Sequence, residues 1–359
     1  MAVDTGRRER AHRAARRPAR RRIRLEDGRR LFPAGHALVV AALALALGVL
    51  LNAQGIYKSA YNQPDGAGRD AALAVAGPLR DVSHALLLDR PRQWLKTALG
   101  RGDDDVIDTA VRVPAPAAAP PAAPPRPAKK TAFTPESPLR LWVAGDSLAI
   151  APGWAVVRAA GASPVIQPVG GVDGRVATGL ERPDVFNWFT HVAEQMKKLE
   201  PKAVVLGFGG NDDHGYMTGL PAGVSIDRFG GPAWVAEYRR RVGGLMDTII
   251  RAGGVVVWIG LPITKSESQS QRFDVINAAV AAEAKERPRK VAFVDTYTMF
   301  ASDTGGYAEY LEDTAGRLQK VRASDGVHFE RAGGDIIARE VLRQLNRLYD
   351  LTSWRTGRP

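Results

Sequence analysis

The chain has 359 residues, a formal net charge of +12 and no cysteine. Its length suits one α/β domain of about 200–250 residues with additional segments. Residues 1–30 contain twelve Arg and four acidic residues, an excess of +8, so the other residues carry only +4 (12 − 8). The basic isoelectric point is therefore a property of the N-terminal tail and gives no reason to expect a nucleic-acid-binding surface on the folded body.

The basic tail, residues 1–30, is followed by an apolar segment at residues 31–53. Its centre, residues 37–51, reads ALVVAALALALGVLL and has no polar side chain. As a helix, the segment is long enough to cross a hydrocarbon core of ~30 Å, and it lacks the polar face of a buried core helix. Arginines on its N-terminal side indicate a cytoplasmic N-terminus. We therefore predict a single-pass inner-membrane anchor, a tail near anionic headgroups rather than nucleic acid, and a periplasmic body.

A cleaved signal peptide is the alternative interpretation of this segment. The positive region is far longer than a signal peptide requires, and LNAQGIY is a poor small-x-small cleavage site. The absence of cysteine fits a periplasmic location without establishing it.

Two segments separate the predicted anchor from the main domain. Residues 54–112 have apolar residues at helical spacing, and we expect Pro78 and Pro91 to divide them into short helices. This membrane-proximal helical region forms either a collar at the membrane or a layer packed on the main domain. Residues 113–133 are rich in Pro and Ala, which is typical of an extended, semi-rigid spacer.

Residues 134–359 alternate between strand and helix patterns. Strands that are apolar throughout and alternate with helices indicate a parallel sheet covered on both faces, a three-layer α/β/α fold. The predicted strands are residues 139–145, 163–169, 202–210, 255–262 and 290–298. The predicted helices are residues 148–161, 189–201, 232–254, 273–288 and 332–350.

Polar residues follow several of these strands, at the sheet edge where ligands of such folds bind. Ser147 follows the first strand, and Asp325 and His328 lie between the fifth strand and the last helix. A serine hydroxyl becomes a nucleophile when a base takes its proton, and that base needs a partner to fix its tautomer. We therefore predict that His328 faces Ser147 and that Asp325 orients the imidazole.

Attack on an ester carbonyl also requires N–H donors directed at the developing oxyanion. The candidates are the Ser147 backbone amide, a glycine amide within residues 170–179, and the side chain of Asn211, which follows the third strand. Asp146 is expected to bond loop amides rather than to take part in the chemistry.

Four short motifs, in order along the chain, resemble those of the SGNH/GDSL hydrolase superfamily. AGDSLA at residues 144–149 is similar to its first block, GGND at 209–212 to its third and SDGVHF at 324–329 to its fifth, and GLP at 260–262 is also typical. The resemblance implies a flavodoxin-like sheet, Ser147 as nucleophile, Asn211 and Gly174 as oxyanion donors, and Asp325 with His328. For the second block, Gly174 is favoured over Gly171 and Gly179. The layout of tail, anchor, spacer and domain also looks like that of a family of uncharacterised bacterial periplasmic proteins within this superfamily.

Other interpretations of the same residues remain. Ser147 could instead cap a helix, His328 could be a packing residue, and Asn211 could cap a turn. Residues 211–214, NDDH, lack further ligands for a metal site, and the glycine-rich loop at 170–179 has neither the Rossmann nor the P-loop pattern. His191 and His214 are expected to be ordinary surface or pocket residues. Five aromatic residues in long loops either stack on sugar rings or only pack, namely Tyr216, Phe229, Trp234, Tyr307 and Tyr310.

The sequence thus predicts a membrane-anchored periplasmic serine esterase that removes O-acyl groups, acetyl above all, from a cell-envelope glycan, with no metal or cofactor. An O-acyltransferase would use the same three side chains, with a sugar hydroxyl in place of water. A non-catalytic glycan-binding or assembly module, with envelope-assembly proteins as partners, is the third interpretation. The intact set of Ser147, Asn211, Asp325 and His328 counts against it.

Overall fold

The computed structural model describes residues 34–63, 66–114, 130–226, 228–313 and 315–356. The basic tail at residues 1–30, the start of the predicted anchor and most of the Pro/Ala-rich segment lie outside these residues. The α-helices are α1 (Ala34–Leu51), α2 (Ala53–Tyr61), α3 (Ala67–Ala85), α4 (Arg90–Ala98), α5 (Ile150–Gly161), α6 (Trp188–Leu199), α7 (Pro232–Arg251), α8 (Glu267–Lys285), α9 (Thr296–Met299) and α10 (Arg331–Leu348). The strands are β1 (Leu139–Gly145), β2 (Ile166–Gly174), β3 (Ala203–Gly207), β4 (Val255–Ile259), β5 (Val291–Val294), β6 (Tyr310–Glu312) and β7 (Leu318–Lys320).

Strands β1 to β5 form a parallel sheet in the order β2-β1-β3-β4-β5. This is the flavodoxin-like strand order. Alternate residues of β1 serve the two layers: Leu141 and Val143 pack with α5 and α10, whereas Trp142 and Ala144 pack with α6, α7 and α8. Burial on both faces explains why these strands are apolar throughout. The predicted three-layer α/β/α fold is confirmed.

Three details of the sequence prediction were wrong. Strand β2 does not end at residue 169 but continues to Gly174, so half of the expected glycine loop belongs to the sheet. Helix α3 runs through Pro78 without a break, because a helix held by tertiary packing tolerates one missing N–H bond. The expected break near Pro91 is present: α3 ends at Ala85 and α4 begins at Arg90, with Pro91 in its first turn, where the missing N–H costs nothing. Strands β6 and β7 form a small antiparallel hairpin that the sequence pattern did not predict.

The helices before the domain end in a segment that packs on it, residues 102–113, which we call the strap. Val111 and Val113 of the strap pack against the core cluster that contains α7. The Asn187 side chain at the start of α6 donates to the carbonyls of Asp108 and Ala110 at 3.1 and 2.9 Å. A domain that begins at Thr134 would therefore omit a segment that covers part of its core.

Lys58 of α2 joins the membrane-proximal helices to the strap. Lys58 is 4% exposed, and its ammonium group donates to the Val106 carbonyl at 2.6 Å. Burial lowers its pKa to about 8, although Asp105 acts in the opposite direction. Because the folded pKa lies below that of the unfolded chain, the unfolded state binds more protons between about pH 8 and 10.5, and stability rises with pH there.

We predict that replacing Lys58 with Met has a pH-dependent effect on thermal stability. The variant lacks the bond to Val106 at every pH. The wild type buries a charge only while Lys58 is protonated, so the variant avoids that cost only at the lower pH. The unfolding temperature of Lys58→Met relative to the wild type should therefore be higher at pH 7 than at pH 9.5, as measured by scanning calorimetry of the full chain in detergent. Lys285→Met, at an exposed position on α8, should show no such trend. A difference that is the same at both pH values would contradict the expected burial of a charged group.

Candidate active site

The carboxyl edge of the sheet brings together loops from distant parts of the chain. Gly145, at the end of β1, lies between Gly174 of β2 and Gly207 of β3. Its φ of +157° is accessible to glycine, and a Cβ there would collide with the Gly207 carbonyl. The close approach of the three strand ends therefore requires glycine at residue 145.

Ser147, His328 and Asp325 form a continuous hydrogen-bonded row at this edge. His328 Nε2 lies 2.9 Å from Ser147 Oγ, and His328 Nδ1 lies 2.7 Å from Asp325 Oδ2. With Nδ1–H donating to the carboxylate, Nε2 carries the lone pair that faces the serine hydroxyl. The arrangement can take a proton from Ser147 and stabilise the imidazolium that forms.

The Asp325 carboxylate is fixed by its own loop. Its second oxygen accepts the backbone N–H groups of Val327 and His328 at 2.8 and 3.0 Å. Partial burial acts to raise its pKa, but these two bonds and the contact with the His328 ring outweigh it and lower the pKa to about 2. Asp325 is therefore negatively charged throughout the pH range in which a histidine base works.

Arg322 is a residue that the sequence analysis missed. Its guanidinium is fully buried and donates to the carbonyls of Ile263 and Val327, each at 2.6 Å, and more weakly to that of His328 at 3.3 Å. Burial lowers its pKa to about 10, so it remains charged at neutral pH. Arg322 thus ties the loop that carries Asp325 and His328 to the end of β4.

Asp146 holds the serine loop against the loop after β3. Its buried carboxylate accepts Leu148 N–H at 2.8 Å and the N–H groups of Gly209 and Gly210 at 3.0 and 2.9 Å. Burial raises its pKa to about 7, with the three N–H bonds acting in the opposite direction. Because the capping position is occupied by Asp146, the alternative role of Ser147 as the helix cap does not apply.

The three expected oxyanion donors lie at or just after the carboxyl ends of β1, β2 and β3. The Ser147 N–H opens a short 3-10 turn at residues 147–149 and therefore has no acceptor within that turn. Gly174 pairs with Gly145, two residues before Ser147. Asn211 donates one N–H of its side-chain amide to the Thr178 carbonyl at 2.9 Å, which orients the amide and leaves its second N–H available.

The other two candidates for the second-block glycine are less well placed. Gly171 lies three residues earlier in β2, further from the carboxyl edge than Gly174. Gly179 packs against the Asp212 carboxylate, which a Cβ at that position would meet. A Cβ at Gly174 would collide with Ile150 of α5, so this position also requires glycine for packing.

Residues 211–214, considered above as a metal site, are engaged within the chain. The Asp212 carboxylate accepts Leu180 N–H, Glu181 N–H and the Tyr238 hydroxyl, all at 2.9 Å. Asp213 binds Arg272 at 2.6 Å. His214 is half exposed as expected, and its contacts with Glu181 raise its pKa.

His191, in contrast to the expectation of an ordinary surface or pocket residue, is 4% exposed and lies beneath β2. Its Nε2 is 2.6 Å from Asp173 Oδ2, while its Nδ1 is buried without a hydrogen-bond partner. Asp103, His191 and Glu194 offer ligand atoms within 4.8 Å of one another and could together hold a divalent cation. This group joins the strap to α6 and contains none of the predicted site residues.

Of the five aromatic residues for which stacking on sugar rings and simple packing were both considered, two pack within the domain. Trp234 is fully buried, donates to Glu181 Oε1 at 2.7 Å and stacks on Tyr238, and Phe229 packs edge-on against it. Tyr216 and Tyr310 are 38% and 51% exposed. The centre of the Tyr307 ring lies 5.4 Å from the Arg322 guanidinium carbon.

The parallel sheet, and the order of Ser147, Asn211, Asp325 and His328 along its carboxyl edge, resemble those of the SGNH/GDSL hydrolases. The family model described as "Protein of unknown function (DUF459)" matches residues 140–344, and the chain belongs to this family. No match is found among curated proteins.

Solved structures similar to this chain include TesA (18% identity, TM-score 0.38), of which 99% is covered by 58% of this chain. Another is an acetylxylan esterase, Axe2, from Geobacillus stearothermophilus (16%, TM-score 0.38), with 59% of this chain and 95% of that one covered. A third is a GDSL-like lipase from Bacteroides thetaiotaomicron VPI-5482 (16% identity, TM-score 0.36). The match covers 58% of this chain and 88% of the lipase.

We predict that Arg322→Lys lowers kcat for ester hydrolysis by about 10²-fold, because a lysine ammonium cannot reproduce the planar fork of the guanidinium, and a shift of about 1 Å in His328 is enough for such a loss. KM should change little, since Arg322 does not reach the substrate. The matched control is Arg140→Lys, because Arg140 donates to the Leu199 carbonyl at the opposite end of β1. Equal losses of kcat in the two variants would contradict a positioning role for Arg322.

We also predict that Asp146→Asn destabilises the fold and weakens the site together. The asparagine amide has N–H donors in place of one carboxylate oxygen. Backbone N–H groups that bound that oxygen lose their acceptor, and each unsatisfied buried donor costs about 1–3 kcal/mol. The urea midpoint should fall, and serine reactivity should fall with it. Asp295→Asn, at the cap of the short helix α9, removes an exposed carboxylate and should leave the reactivity of Ser147 unchanged. Full reactivity in Asp146→Asn would show that the carboxylate does not hold the site.

Proposed function

We propose that the protein is a membrane-anchored serine esterase. The observation that carries the proposal is the hydrogen-bonded row from Asp325 through His328 to Ser147, with distances of 2.7 and 2.9 Å. A serine next to an imidazole that is itself oriented by a carboxylate is the arrangement of a nucleophile with its general base.

The reaction proceeds in two halves. Ser147 Oγ attacks the ester carbonyl while its proton passes to His328 Nε2, and the oxyanion is bound by the Ser147 amide, Gly174 and Asn211. The imidazolium then gives its proton to the leaving alcohol, which departs and leaves an acyl group on Ser147. Water, deprotonated by His328, attacks this acyl group; the bond between the acyl carbon and Ser147 Oγ breaks, His328 returns the proton to Oγ, and the carboxylic acid leaves. Asp325 stabilises the imidazolium in both halves.

The substrate that we propose is an O-acetyl ester on a cell-envelope glycan. The side chains of His328 and Asp325 are 40% and 50% exposed, so the triad lies at an open surface rather than in a narrow pocket. An open site admits an acyl group carried on a large molecule. Exposed Tyr216 and Tyr310 offer faces on which sugar rings can stack.

The location that we propose is the periplasmic face of the inner membrane. Helix α1 has 18 residues, none of them buried in the described chain, and its length and composition are those of a membrane-crossing helix or a signal sequence. The arginines that precede it favour a cytoplasmic N-terminus.

The proposal predicts that a fluorophosphonate probe labels the full chain, purified in detergent, at one residue, Ser147. Ser147→Ala should lose labelling and about 10³-fold or more of esterase activity. Ser163→Ala, in the turn after α5, is the matched control and should react like the wild type. Absence of labelling in the wild type would favour a binding module over an enzyme.

Incubation with an O-acetylated oligosaccharide and an unacetylated acceptor distinguishes hydrolysis of the ester from transfer of its acetyl group. An esterase releases acetate at a rate that does not depend on the acceptor. Transfer of the acetyl group to the acceptor without release of acetate would instead identify an acyltransferase.

A further inference from the structure

Helix α3 carries an apolar stripe that no described residue covers. Val75 and Val82 are 65% and 48% exposed and lie seven residues apart, on the same face of the helix. Pro78 lies between them on that face, and Leu86, 61% exposed, continues the stripe just after the helix ends. The stripe is therefore a helix face that lacks a partner within the described chain.

Exposed apolar residues occur again on α4, which follows α3 after an 87° bend. Trp94, Leu95 and Leu99 are 74%, 53% and 66% exposed, and Leu87 in the bend is 56% exposed. Large apolar side chains gathered over so short a stretch mark an interaction surface. By comparison, exposed large apolar residues in the α/β domain are spread over many elements: Trp154, Val176, Tyr216, Val224, Tyr310 and Leu318.

We call the exposed apolar residues of α3, the bend and α4 the platform. The platform adjoins α1. The Ser83 hydroxyl of α3 donates to the Leu50 carbonyl in the last turn of α1 at 2.7 Å. Val82 and Leu86 flank this contact on α3. The platform therefore begins where the apolar helix α1 ends.

The platform is connected to the catalytic domain through the strap. Asp104 binds Arg175, which follows Gly174, and Asp105 binds Arg92 of α4 at 3.0 Å. The Pro/Ala-rich segment does not separate the platform from the domain, because both of its ends contact the domain: Val113 packs on the core, and the Phe133 ring lies 5.1 Å from that of Tyr349.

We infer that the platform lies in the interfacial region of a lipid bilayer and holds the active site close to the membrane surface. The inference rests on the membrane anchoring by α1 proposed above. A helix with Trp and Leu on one face, begun by Arg90 and followed by Arg101, has the composition of helices that lie in the plane of the headgroups. Continuity with α1 favours lipid over a protein partner as the occupant.

The absence of cysteine allows a direct test by site-specific labelling. Leu86→Cys, Leu95→Cys, Leu43→Cys in α1 and Glu267→Cys on α8 would each be introduced into the full chain and labelled with an environment-sensitive fluorophore. The proteins would be reconstituted in vesicles of phosphatidylethanolamine and phosphatidylglycerol. Quenching would be measured with lipids spin-labelled at the headgroup or deep in the acyl chain, and with aqueous iodide.

The inference predicts that labels at residues 86 and 95 emit at shorter wavelength than the label at 267 and lose intensity with headgroup spin labels but not with iodide. Quenching by iodide as strong as at residue 267 would overturn it, and so would protection from both quenchers, which would identify a protein partner or a second copy of the chain. The label at residue 43 tests the anchor separately, since deep spin labels should quench it whether or not the platform touches lipid. Labelling by fluorophosphonate in the same vesicles tests the proposed activity independently.

Discussion

The geometry of the site depends on one buried carboxylate, that of Asp146. It accepts N–H groups from both sides of the sheet edge, one at Leu148 and two at Gly209 and Gly210. The first bond fixes the turn that presents Ser147, and the other two fix the loop that presents Asn211. In the proposed mechanism, Ser147 and Asn211 lie on different loops and act together only if their separation is constant, and three hydrogen bonds to one carboxylate provide that constraint.

Much of the fold was predictable because burial on both faces of a parallel sheet leaves a clear record in the sequence. The residues of β1, β3 and β4 are almost all buried, so the apolar runs in the sequence predict these strands directly. The residues around Ser147 and Asn211 were predictable for a different reason, because their motifs follow strands. Asp325 and His328 were predicted from their chemistry and from the resemblance of their motif. Strand β2 was placed poorly because its partly exposed edge position leaves polar residues and glycines within the strand.

The supporting side chains could not be predicted, because their partners are backbone carbonyls or residues far along the chain. Arg322 has no pattern that distinguishes it from a surface arginine, and only the fold shows its guanidinium among the carbonyls of Ile263 and Val327. The ion pair between Asp104 of the strap and Arg175 was equally unpredictable, because the two residues are 71 positions apart in the sequence. In each case a charged side chain is buried by tertiary contacts that no local spacing encodes.

The central claim is that Ser147 carries the acyl group between the two halves of the reaction. The most direct measurement is mass spectrometry of the full chain, quenched in acid within the first turnover of an activated acetyl ester and digested into peptides. The account predicts one acetyl group on the peptide that contains Ser147, and none in Ser147→Ala. Hydrolysis by Ser147→Ala at the wild-type rate, or an acetyl group on a different residue, would contradict it.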